Sequence, residues 1–79
     1  MTDEQVDCMS LSEKLAARQV VLSYLRDKTE RASAKVLRSK DGDWEKNHKA
    51  LMKASAEYKD AQHGRGWVKF YDKVAKRNA

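Results

Sequence analysis

An all-α fold follows from three features of the 79-residue sequence. It holds no proline and only three glycines, its apolar residues recur at three- and four-residue spacing, and no stretch alternates as a strand would. The glycines at 42, 64 and 66 punctuate it into three helical stretches. The expected architecture is a long helix over about 11–37, a second over about 44–62 and a short third over about 67–77. These form a helical hairpin plus a C-terminal helix, either alone or as a dimer, in one domain over 10–79 preceded by an acidic flexible tail over 1–9.

Each element has its own signals. Ser10 and Glu13 have the S-x-x-E spacing of a capping box, which starts the first helix at Leu11. Its core seam is expected along Leu15, Leu22, Leu25, Ala32 and Val36, and Val20, Val21 and Tyr24 add apolar surface on other sides. Arg18 and Thr29 fall in register with that seam, where polar residues can set pairing register unless the seam lies nearer Val21 and Leu25. Thr29 to Ser33 is the weakest helix-forming stretch, yet continuity to Leu37 is expected, for about 40 Å of helix at 1.5 Å per residue.

The turn Arg38 to Asp43 ends that helix, with Asp43 placed to cap the next. In the second helix Trp44, His48, Leu51, Ser55 and Tyr58 share the expected core face. Lys46, Lys49 and Lys53 lie opposite, and Glu45 to Lys49 is a favourable i,i+4 pair. His63-Gly64-Arg65-Gly66 breaks the chain again, with His63 set at a helix end. Trp67, Phe70, Tyr71 and Val74 then give the third helix an aromatic face against Lys69, Lys73 and Lys76. At about 11 residues it must pack on the other two to persist.

Composition narrows the function classes. A chain this short buries only roughly 60% of its unfolded surface, so an added partner would help it. The single Cys8 cannot form an internal disulfide, no secretory signal opens the chain, and no run nears the roughly 18 apolar residues of a membrane span. The expected location is therefore the cytoplasm. Net charge is +5, but residues 1–9 carry Asp3, Glu4 and Asp7 with no base, while the rest holds all 17 Lys and Arg. A basic body favours anionic partners.

The residues for catalysis are wanting. Cys8, His48 and His63 are far apart and form no ligand pair, no serine sits in a nucleophile-elbow context, and Asp41-Gly42-Asp43 lacks the later ligands of a calcium loop. Gly64-Arg65-Gly66 matches neither phosphate-binding fingerprint and reads as a helix–helix turn. A non-enzyme is expected, without cofactor, metal or small-molecule substrate.

Two surfaces compete as binding sites. The first is the surplus apolar girth of the long helix and its cationic end, Val20, Tyr24, Lys28, Arg31, Lys35 and Arg38. It would meet a protein with an acidic surface, or a second copy, as a small regulator or inhibitor of a larger assembly does. The alternative is nucleic-acid binding through phosphate contacts from Lys46, Lys49, Lys53, Arg65, Lys73, Lys76 and Arg77. Against it, acids interrupt those stripes and no helix-turn-helix pattern appears.

Overall fold

The computed structural model describes residues 1–40 and 42–78, the side chains of 77 and 78 excepted. Asp41 and the Arg77 side chain, both named above, thus lie outside the described residues. The described residues form four helices rather than three: α1 (Asp3–Asp7), α2 (Leu11–Arg38), α3 (Trp44–Gln62) and α4 (Val68–Asn78). No strand occurs among the described residues, and none of the helices is long and apolar enough to cross a membrane.

The additional helix lies in the stretch read from the sequence as an acidic tail. Thr2 and Gln5 form a reciprocal capping box, Asp3 and Glu4 occupy the first turn where the helix dipole favours acids, and Val6 is 2% exposed in the core. Five residues carry too little periodicity to announce a helix, and only packing makes so short a turn persist.

Helix α2 is the spine of a molecule measuring 50 × 23 × 16 Å. It runs unbroken for 28 residues, started by the Ser10–Glu13 capping box. At Thr29 the hydroxyl donates back to the Leu25 carbonyl at 2.8 Å, so the weak stretch is accommodated within the helix. Helix α3 returns along α2, and α4 also packs on it. Asn47 donates to Ser39 Oγ at 2.6 Å, and Ser39 Oγ donates to the Lys35 carbonyl at 2.7 Å, which stitches the hairpin turn. The Asp43 side chain makes no capping bond to α3. Gly66 is required by space: a Cβ there would lie 1.9 Å from the Asp60 carbonyl oxygen.

The core is rotated from the expected seam. In α2 it is Ala17, Val21, Leu22 and Leu25 that are buried, and Leu15 is 57% exposed. The reason is geometric. Arg18 Nη2 donates to the carbonyl of Gln62 at 3.3 Å, so α3 ends opposite Arg18 and the turns of α2 before it overhang its partner. In α3 the buried residues are Ala54 and Ala61, while Trp44 and Met52 are 49% and 52% exposed. Alanines let the two helix backbones approach and thereby take the central positions. Trp67, Val68 and Val74 complete the core, with Phe70 and Tyr71 packed against it.

A candidate protein-docking groove on α2

Val20, Tyr24, Lys28, Arg31, Lys35 and Arg38 follow one another along α2 at steps of three and four, so they form one stripe. The structure brings the first five into two hollows that meet at Lys28 and Arg31. The larger, about 640 Å³, is lined among the described residues by α2 alone and includes Val20, Tyr24 and Asp27. The smaller, about 350 Å³, lies between α2 and α3, lined by Ala32, Ala50 and Ala54 together with Lys35, Lys46 and Asn47. Arg38 is exposed one turn beyond Lys35, outside both hollows.

The groove changes character along its length. At its Val20 end the surface is partly apolar: Val20 is 43% exposed and Tyr24 is half-buried against the edge of the core. Toward the hairpin turn, Lys28, Arg31, Lys35 and Lys46 surround a shallow alanine-lined hollow. Lys28 is held 3.7 Å from Glu57, whereas no ion pair joins Arg31, Lys35 or Lys46 to an acid among the described residues. An Arg with its donor fork open to solvent can take a carboxylate in bidentate fashion, and the methylene stems of Lys and Arg extend the apolar floor.

The residues of the nucleic-acid alternative are not gathered in the same way. Lys46 belongs to the groove, and Lys49 sits 3.8 Å from Glu45 on the exposed side of α3. Lys53 is exposed further along α3, and Lys73 and Lys76 are exposed on α4. Arg65 is engaged by the N-terminal acids: Nη2 donates to Asp7 at 2.5 Å and Nη1 lies 3.8 Å from Asp3. The hydrogen bond that Arg65 donates to Asp7 and the charge of that carboxylate, with a smaller push from Asp3, outweigh slight desolvation and raise the Arg65 pKa above its ordinary value. The Met1 ammonium pairs with Asp72 and Lys69 with Asp60, so this end of the molecule balances much of its own charge.

No group of three or more His, Cys, Asp or Glu is placed to hold a metal among the described residues. Cys8 is exposed with a free thiol, and the exposed His63 closes α3 by donating its backbone N–H to the Asp60 carbonyl at 3.2 Å.

Sequence reasoning missed the lining contributed by Ala32, Asn47, Ala50 and Ala54. The signal was the i,i+4 pair Ala50 and Ala54, which allows close helix approach, but nothing in the residues says which side of α2 that pair meets. Comparisons with protein-family models, curated proteins and solved structures give no match to this chain, so the groove itself carries the functional argument.

Proposed function

We propose that this protein is a non-enzymatic helical interaction module that binds an acidic segment of a larger protein or assembly along the α2 groove. The observation that carries the reading is the juxtaposition of the Val20–Tyr24 surface with Arg31, Lys35 and Lys46, cations that the fold leaves without acidic partners among the described residues. An amphipathic partner helix, apolar on one turn and carboxylate-bearing on the next two, matches that sequence of surfaces. Occupying such a segment on a larger machine is how a small regulator or inhibitor acts without chemistry of its own. The single exposed thiol of Cys8, with no second cysteine in the chain, suits a reducing compartment such as the cytoplasm.

The test is site-specific photocrosslinking in cells, with a benzophenone side chain at position 31 and, as control, at position 65. Position 31 should trap a protein through an acidic segment, unaffected by nuclease, and position 65 should not. Crosslinks to nucleic acid, or equal protein trapping from both positions, would replace this reading.

A further inference from the structure

A second surface, on the side of α3 turned away from the groove, has its own pattern. Trp44, His48 and Met52 follow at i, i+4 and i+8, forming a ridge along about two turns of helix. Trp44 and Met52 are half exposed, large apolar side chains that the core does not use. The Trp44 and His48 rings stack with centroids 4.7 Å apart and planes 13° from parallel, which makes a flat, ordered aromatic face. Along one edge of the ridge run Glu45, Lys49 and Lys53, all exposed.

We propose that this ridge pairs two copies of the chain, α3 against α3, antiparallel about a two-fold axis at His48. The pattern is self-complementary in that orientation. Trp44 lies four residues before His48 and Met52 four after, so each Trp44 meets Met52 of the second copy in a sulfur–aromatic contact. The charged edges lie on the same side of the pair, where reversal places each Glu45 between Lys49 and Lys53 of the second copy, four attractions against one Lys49–Lys49 approach at the axis. A parallel pair would turn the two charged edges to opposite sides, leaving each against the uncharged Asn47, Leu51 and Ser55 edge of the other copy. Ridges of i±4 spacing interlock when the helices cross at about −50°, which confines the contact to these two turns.

Two consequences follow from the geometry. The contact is smaller than the roughly 800 Å² per partner of a standard interface, so the dimer is weak and in rapid exchange. Lys46 points about 160° around α3 from His48, so pairing leaves the groove on each copy open. This site is independent of the proposed groove function, and either could fail alone.

The experiment is sedimentation of the full chain over a concentration series up to about 1 mM, under reductant so that Cys8 cannot link chains. A reversible monomer–dimer equilibrium is expected, weakened about tenfold or more by Trp44→Ala with unchanged helical circular dichroism. Glu45→Lys should weaken it too, and adding Lys49→Glu with Lys53→Glu should restore it. Only the antiparallel pairing predicts that loss and rescue, since a parallel pair keeps the two charged edges apart and would be nearly indifferent to both changes. A chain that stays monomeric throughout, or a charge swap that fails to restore association, overturns the proposal, whatever other molecule then proves to cover the ridge.

Discussion

The two ends of this molecule are built on different terms. At one end α1, the α3–α4 turn and α4 gather on the first half of α2. Val6, Ala17, Val21, Leu25, Ala61, Trp67 and Val74 are buried there, and Arg65, Lys69 and the N-terminal ammonium meet acids. At the hairpin end no residue of α2 beyond Leu25 is buried, Leu37 is 85% exposed, and Arg31, Lys35 and Lys46 have no ion pair among the described residues. Stability is thus concentrated in one half, and surface available to a partner in the other. Counting lysines and arginines would rank the ends alike; the placement of acids separates them.

The sharpest way to break the comparison is to cut into the closed end. Trp67→Ala should cost about 3 to 5 kcal/mol, much of the stability of a domain this small, whereas Leu37→Ala at the hairpin end should move stability by less than about 0.5 kcal/mol in denaturant titration. Similar losses at both sites would show that the hairpin end is not the looser half.

Detaching α1 comes next. Val6→Asp would place a carboxylate in the core, so α1 should release, with a loss of about 1.5 to 3 kcal/mol read from thermal or denaturant unfolding. Amide exchange tests the same asymmetry without a mutation. Amides over 31–37 and 44–50 should exchange faster than those over 17–25, because few buried contacts hold the hairpin end.

Charge changes give the smallest effects on stability. Arg31→Glu with Lys35→Glu should leave the melting curve nearly unchanged while abolishing capture of the protein trapped at position 31. Arg65→Ala should lower the melting temperature slightly, by an amount that shrinks as salt rises, because its pairs with Asp3 and Asp7 are exposed. A salt-independent loss would mean that Arg65 acts through packing instead.

Much of the local structure was legible from residues alone. The Ser10–Glu13 box, the two glycine-bearing turns and the Glu45–Lys49 pair appear where their spacing places them, and α2 continues through Thr29 because one hydroxyl-to-carbonyl bond absorbs the weak stretch. The faces were less legible. Leu15 is in register with the buried Leu22 and Leu25, and Trp44 with the partly buried His48, Leu51 and Tyr58, so periodicity assigned both to the core. The real interface is centred on Ala17, Ala54 and Ala61, because small side chains let helices close. The stripe from Val20 to Lys35 was visible in the sequence, but its alanine-lined hollow and the engagement of Arg65 by Asp3 and Asp7 depend on residues far apart in the chain.

What the sequence determined by itself is therefore helical: where most helices start and stop, and the acidic and basic division of the chain. Caps, glycines and i,i+4 spacings are local, and each acts within about a turn of the residues that encode it. Tertiary structure decided which face of each helix is covered, that residues 3–7 fold onto the body, and which cations are left for a partner. Those outcomes depend on where α3 ends along α2 and on which acids are brought beside which bases, distances that only the packed chain defines.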